Sequence, residues 1–425
     1  MCSTLFNVVE PLERKSSEYK NLQSCLACGS AELSRYLDLG NQPLANDFMS
    51  PETELETFPL VLQCCLRCFH SQLSVSVDPS RLFRNYLYVS NTTATLRNYF
   101  VWFADEIVSK YGSGLNILEL ASNDGTLLKT LSDRGHYAIG VDPALNLLPN
   151  VVENGVISIC DFWPGMASRF LENSSDLVIA MNVVAHVPDP CEFLIAARHA
   201  LKPGGRIVVQ TSQADMIESS QFDTAYHEHL SFFNVQSMEA LASRSGLQLN
   251  DVTLVPIHGK SYLWVLSADH PEVSDHVKSR LDHELQVGLY SNATYTSFSE
   301  TAKGIAQKTS GEVARLRESG HAIWGYGAAA KGNTFLNFAK IDLDGFFDDN
   351  ELKQGLKSPG GNALVHGPQT MKEIQDPICF VVPAWNFVTE ISNRIIKLRQ
   401  NNRDCILTYY PSILLRSVTE IAERL

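Results

Sequence analysis

The segment LNILELASNDGTLL, residues 115–128, decides the fold. Its first half is a short apolar run of strand length, and its second half is a turn of small and polar residues that leads into leucines at helical spacing. Ser122, Asn123 and Asp124 supply capping groups for a helix start, and Gly125 permits close backbone approach. Downstream, YAIGVD (137–142), DLVIAMN (176–182) and GRIVVQ (205–210) repeat the β-rich run, with helix-like stretches between them. Such alternation predicts an α/β fold built on a doubly wound parallel sheet. LQLNDVTLVP (247–256) and SYLWVLSA (261–268) lack a helical pattern between them and are expected to close the sheet as an antiparallel pair.

Outward from this sheet the chain divides into four parts. Residues 1–85 form an N-terminal arm, loose to about residue 22, and a cysteine-bearing module; residues 86–268 hold the central domain. Residues 269–320 are polar with helical spacing and are expected to be linker helices interrupted by Gly288 and Gly304. Residues 321–425 begin a second alternation (AIWGYG, GFFDDN, ICFVVPAW, CILTYYP), which predicts another Rossmann-like α/β unit. More than one domain is expected, because 425 residues exceed what a single core usually fills.

Lysine and arginine number 34 against 47 acids, a net charge of −13, which is a poor potential for holding a phosphate backbone. Nucleic acid is therefore not an expected partner. The first residues lack a basic leader followed by an apolar stretch, and no later run approaches the length of a membrane span. No membrane partner and a cytoplasmic location are expected; the oligomeric state is left open, a monomer included.

Ten cysteines in such a chain suggest reduced thiols and a metal site rather than a disulfide framework. Cys25-x-x-Cys28 and Cys65-x-x-Cys68 can each give two thiolates to one tetrahedral ion, for which zinc is the natural occupant. Cys64 is out of step with this spacing, and His70 is only a nearby substitute. Four thiolates leave no open position, so the ion is expected to be structural. A redox pair or a set of buried free cysteines is the alternative.

Ligands of such a sheet sit at the carboxyl ends of its strands. Those ends carry Glu119, Asp142, Asp161 and Asn182. The turn Ala121, Asn123, Asp124 and Gly125 precedes a helix whose free N–H groups could receive the carboxylate of a methionine moiety. Asp142 could accept ribose hydroxyls, Asp161 could meet an adenine amino group, and Asn182 faces the same edge. The set points to S-adenosylmethionine. A G-x-G-x-x-G fingerprint for a dinucleotide is absent, and acids that merely cap helices are the plain alternative.

These motifs, together with CLACGS, LDLGNQPLANDF, PLVLQCCLRC, YLYVSNTT, NVVAHVPDP, LKPGG, YHEHLSFF, GYGAAAKGNTFLNF and KQGLKSPG, resemble in order and spacing the sugar-nucleotide C-methyltransferases that place a branching methyl group on deoxysugars. The resemblance spans nearly the whole chain. It implies a class I methyltransferase sheet between a zinc module and a C-terminal α/β domain. Ala121 stands where the family usually has glycine, and His258-Gly-Lys-Ser replaces a more glycine-rich turn, which leaves the reaction class intact but not the identity of the substrate.

Methylation at carbon needs a carbanion equivalent. A 4-keto sugar provides one at C3 once a base removes the proton. Within Tyr226-His227-Glu228-His229, histidine has the ordinary pKa nearest working pH. The resemblance selects His229 as the base, with Glu228 and Tyr226 beside it and a tyrosine of YLYVS, Tyr88 rather than Tyr86, across the substrate; His227 is expected to be structural. In the C-terminal unit, Lys331 could reach a diphosphate with Asn333 beside it, although tight packing would explain the small residues of GYGAAAKGN equally well. The expected substrate is thus a nucleoside-diphosphate 4-keto-deoxysugar, thymidine-linked. A zinc-ribbon methyltransferase of RNA and a non-catalytic nucleotide-binding scaffold are the competing readings; charge and the large C-terminal unit argue against the first, and turnover of a keto sugar would exclude the second.

Overall fold

In the computed structural model, which describes residues 19–84, 86, 88–399, 401–418 and 420, the deciding segment is a strand, Asn116–Leu120, a turn, and a helix, Thr126–Ser132. The expected arm over residues 1–18 lies outside the described residues. The strand is central, with parallel partners Ser175–Met181 on one side and Tyr137–Val141 on the other. The full sheet runs Gln248–Val255, Ser261–Ser267, Leu201–Thr211, Ser175–Met181, Asn116–Leu120, Tyr137–Val141, Ile157–Ile159. Its last two strands in sequence are the antiparallel pair expected from their pattern.

Period-two alternation gives the sheet two apolar faces. Ile117, Ile179 and Val208 meet the helix Ala94–Tyr111 through Leu96, Phe100, Phe103 and Ile107. Thr93 caps that helix by accepting the N–H of Leu96, and Gly112 ends it at φ 80°. Leu118, Leu120, Val178 and Val209 face Phe193 and Leu194 of the helix Pro190–Ala200, which Asp189 caps. From Asn116–Leu120 the chain builds outward to Ile157–Ile159, then returns to add Ser175–Met181 on the opposite side. The crevice of an open sheet forms at such a reversal of strand order.

The N-terminal module is an antiparallel sheet ordered Ser231–Phe232, Ser71–Leu73, Thr57–Cys65, Leu33–Pro43. Its edge strand comes from the YHEHLSFF segment, which is thereby stitched to the module rather than to the parallel sheet. Part of the supposed loose arm is also ordered: Tyr19–Asn21 pairs with Val75–Val77.

Two helices, Asp275–Gln286 and Asn292–Glu318, occupy the linker. Gly288, at φ 73°, lies in the break between them. Gly304 does not interrupt anything: it sits inside the 27-residue helix, where its cost of about 1 kcal/mol is outweighed by a buried stripe that includes Tyr295, Phe298, Ala302, Ala306, Val313 and Leu316. The C-terminal sheet runs Val365–His366, Gly345–Phe347, Ala322–Tyr326, Ile378–Val381, Cys405–Thr408, Leu414–Ser417, parallel except for its final strand. Leu60 and Leu62 of the module, Phe222, Phe298 and Phe335 belong to one apolar cluster, so module, long helix and C-terminal unit share a core. No helix among the described residues is long and apolar enough to cross a membrane.

Candidate active site

A cavity of about 620 Å³ opens at the carboxyl ends of the parallel strands. Of the residues expected to hold a methyl donor, Glu119, Ala121, Asn123, Asp142, Asp161 and Asn182 line it. Asp124 and Gly125 do not. Asp124 instead accepts the N–H groups of Asn91 and Thr126, at 2.9 and 3.1 Å, and so ties the loop before the helix Ala94–Tyr111 to the turn. A Cβ on Gly125 would lie 2.6 Å from Val156 Cγ2, and the residue has φ 78°, so packing and a left-handed backbone require glycine there.

Asp142 is oriented by two backbone bonds. Its Oδ2 accepts the N–H of Asn123 and its Oδ1 that of Ala144, each at 2.8 Å, and burial raises its pKa against the lowering by these bonds. Asp161 does cap a short helix, accepting from Ala167 at 2.9 Å, while still lining the cavity. Glu119 is buried, and burial, with Asp142 and Asp124 nearby, pushes its pKa well above the carboxylate range.

Two features mark this cavity as built for a ligand. Five non-glycine residues lining it, Ala121, Asn123, Asn182, Gln213 and His258, have φ between 51° and 62°, a conformation that is costly for most side chains and concentrates at functional sites. In addition, Glu119 Oε2, Asn182 Oδ1, Gln213 Oε1 and His186 Nδ1 are buried without a partner, although buried polar atoms are normally paired. The amide oxygens of Asn182 and Gln213 accept, and the protonated Glu119 carboxyl can donate as well as accept, so the set suits a ligand rich in amino and hydroxyl groups. S-adenosylmethionine, with its ammonium, ribose and adenine amino groups, fits that requirement.

Tyr226, His229, Tyr86 and Tyr88 line the same cavity. His229 Nδ1 lies 2.7 Å from the carbonyl oxygen of Thr224. A carbonyl only accepts, so Nδ1 carries the proton and Nε2 the lone pair. Burial lowers the His229 pKa to about 4, which keeps the imidazole neutral. The Tyr226 ring is 4.0 Å away and that of His186 4.9 Å. Glu228 is set back from the cavity: its Oε1 accepts from Asn46 Nδ2 at 2.6 Å, and it hydrogen-bonds Tyr86, with burial raising its pKa to about 7. Tyr86 therefore contacts the Tyr-His-Glu-His segment, whereas Tyr88, the preferred candidate from sequence, is 42% exposed. His227 is buried against Phe58 and Pro59 of the module, outside the cavity lining.

Neither Lys331 nor Asn333 lines the cavity. Asn333 is buried, donates to the carbonyl of Ala45 at 2.9 Å and accepts from Ser358, which locks the C-terminal unit to the module. Lys331 Nζ lies 3.7 Å from the centre of the Trp385 ring and faces Asp223. The small residues around them are explained by packing: a Cβ on Gly332 would meet Pro383, and one on Gly325 would meet Phe346, each at 2.1 Å. Sequence reasoning missed His186, Gln213 and His258. No periodicity marks them, and the signal that finds them is backbone strain or an orphaned atom.

In the module, Cys25, Cys28, Cys65 and Cys68 bring their Sγ atoms within 4.8 Å of one another. The Cys25–Cys68 and Cys28–Cys65 separations are 3.6 and 3.5 Å. Zinc–thiolate bonds of about 2.3 Å in a tetrahedron require sulfur separations of about 3.8 Å, so the four fit one zinc ion. The N–H groups of Cys28 and Arg67 point at Cys25 and Cys65 sulfurs, as at two metal knuckles, and Cys64 stands outside the set.

Three family models match in chain order: a zinc binding domain over residues 25–83, a methyltransferase domain over 94–252 and a C-methyltransferase C-terminal domain over 256–409. The C-methyltransferase NovU of Streptomyces niveus is 28% identical over 387 residues, covering 87% of this chain and 91% of the relative. A ubiquinone biosynthesis O-methyltransferase of Xylella fastidiosa is 25% identical over 162 residues, which cover 33% of this chain and 64% of the relative. The solved PH0226 protein of Pyrococcus horikoshii aligns over 44% of this chain and 97% of its own at 17% identity, with a TM-score of 0.37. The three domain matches in this order, with a C-methyltransferase relative aligned across nearly its whole length, show an S-adenosylmethionine-dependent C-methyltransferase made of a zinc-binding domain, a methyltransferase domain and a C-methyltransferase C-terminal domain.

Proposed function

We propose that the protein methylates C3 of a nucleoside-diphosphate 4-keto-deoxysugar, thymidine-linked, through an enolate formed by His229. The observation that carries this reading is the fixed tautomer of His229 in a cavity also lined by Glu119, Asp142 and Asn182. S-adenosylmethionine, when bound, supplies an electrophilic methyl group. Asp142 would hold its ribose, Asp161 its adenine edge, and the turn at Ala121 and Asn123 its amino-acid end.

His229 Nε2 takes the C3 proton, and the electron pair delocalises onto the C4 oxygen. Burial makes His229 a weak base, so a donor to that oxygen must lower the demand on it; Tyr226 and Tyr88, which line the cavity, would supply it. Glu228 holds the segment from behind, hydrogen-bonded to Tyr86 of the cavity wall. The enolate carbon then attacks in line, with inversion at the transferred methyl. Closely related keto sugars with hydroxyl or amino at C3 differ only in that substituent, and the diphosphate would be held apart from Lys331, which already faces Asp223.

Mass spectrometry of the protein with S-adenosylmethionine and a panel of 4-keto sugar nucleotides tests the reading. A gain of one methyl group on the sugar is expected. Methyl transfer to none of the panel, by folded protein that binds the methyl donor, would contradict it.

A further inference from the structure

The segment that presents His229 is held from the C-terminal unit. In the short helix Phe222–Thr224, the Phe222 ring lies 6.1 Å from Phe335 and 5.8 Å from Phe338. Next to it, the buried Asp223 accepts two hydrogen bonds on one oxygen: Oδ2 takes Trp385 Nε1–H at 3.0 Å and Tyr409 O–H at 2.8 Å. Tyr409 is itself stacked on Phe335 at 3.5 Å. Lys331 stands over the Trp385 ring, and its charge opposes the rise that burial imposes on the Asp223 carboxyl. The following residue, Thr224, turns its carbonyl to His229 Nδ1.

We propose that Asp223, gripped by Trp385 and Tyr409, is a positioning residue that sets the tautomer of His229 through the adjoining Thr224 carbonyl. The inference rests on the assignment of His229 as base and deepens it. Only the tautomer protonated at Nδ1 leaves Nε2 able to accept a proton, and the Thr224 carbonyl, 2.7 Å from Nδ1, selects it. Thr224 is one peptide unit from Asp223, so a shift of the short helix moves the carbonyl with it. The C-terminal unit thus acts on the chemical step from behind the base, without touching the cavity through Asp223, Trp385 or Tyr409. A simple latch between domains would use the same hydrogen bonds, but its loss would leave the imidazole tautomer unchanged.

The test uses the full chain labelled with 15N-histidine, the His229 signals being assigned by their loss in His229→Asn. Wild type should show the Nδ1-protonated pattern. In Asp223→Ala that pattern should give way to a mixture, C3–H exchange of a 4-keto sugar nucleotide should slow roughly 10- to 100-fold, and affinity for the methyl donor should stay within about twofold. Asp223→Asn should restore both readouts, because a single amide oxygen can accept both donors. If Asp223→Ala does not fold, the double variant Trp385→Phe with Tyr409→Phe keeps the aromatic packing, removes both donors, and should shift the tautomer in the same direction. An unchanged His229 pattern in either folded variant would overturn the proposal. A shifted pattern, with exchange persisting in His229→Asn, would uphold the link from Asp223 to the imidazole and refute the assignment of His229 as base.

Discussion

Asp142 Oδ2 accepts the backbone N–H of Asn123 at 2.8 Å, so the acid that ends one strand holds the turn that follows its neighbour. With Oδ1 fixed by Ala144, the carboxylate has lone pairs left on both oxygens for a ligand at the cavity. Asp142→Ala should weaken binding of S-adenosylmethionine by about 2 kcal/mol or more, through loss of charge-assisted hydrogen bonds and of the turn's anchor. Calorimetry on folded variant protein decides it. Unchanged affinity would move the ribose site elsewhere.

Ala121 holds φ 61° at a position where glycine would be at ease. A left-handed conformation costs an L-residue roughly 1–2 kcal/mol, and glycine gives back roughly 0.5–1 kcal/mol in chain entropy. Ala121→Gly should therefore stabilise the fold by about 0.5 kcal/mol in urea denaturation, with donor binding retained. Destabilisation would show that the alanine methyl makes a packing contribution larger than its strain.

The succession of strands along the chain and the polar residues at their ends were legible because they rest on local patterns: apolar runs of strand length, each closed by Glu119, Asp142, Asp161 or Asn182. The cysteine pairs were legible because metal-ligand spacing is local too. What the sequence hid is long-range. Ser231–Phe232 pairs with Ser71–Leu73, and Asn46 reaches Glu228 from the module, and no periodicity encodes either contact. The turn around Lys331 and Asn333 was not decidable from sequence, since a small-residue turn before a helix looks the same whether it cradles a phosphate or packs against Pro383 and Phe346. Gly304 looks like a break by helix propensity alone, and the buried stripe that carries the helix through it is set by long-range packing.

The four sulfurs predict about one zinc per chain by elemental analysis of reduced, unchelated protein. Cys28→Ser or Cys68→Ser should lower thermal stability before it affects any chemical step, because Cys25 and Cys65 would be left converging on an incomplete site. Zinc-free protein of full stability would remove the metal from the account.

Burial raises the Glu228 pKa from 4.5 to about 7, so the folded state favours the protonated acid. Stability from this group is complete below its unfolded pKa and is lost as pH rises through 7. Glu228→Gln, which keeps an oxygen for Asn46, should match wild type near pH 4.5 and exceed it at pH 8 by up to about 3 kcal/mol. The pH dependence of the difference in urea midpoint measures this. A difference that shrinks as pH rises would mean that the ionised carboxylate is the stabilising form.

Removal of the C3 proton by His229 can be measured apart from methyl transfer as deuterium uptake. With S-adenosylhomocysteine in place of the methyl donor, a 4-keto sugar nucleotide in deuterated water should gain deuterium at C3 in the presence of wild-type protein. His229→Asn should slow that uptake roughly a hundredfold or more, the usual contribution of a positioned base, while its affinity for S-adenosylhomocysteine stays near that of wild type. Uptake at the wild-type rate in folded His229→Asn would contradict the claim and move the base to another residue of the cavity.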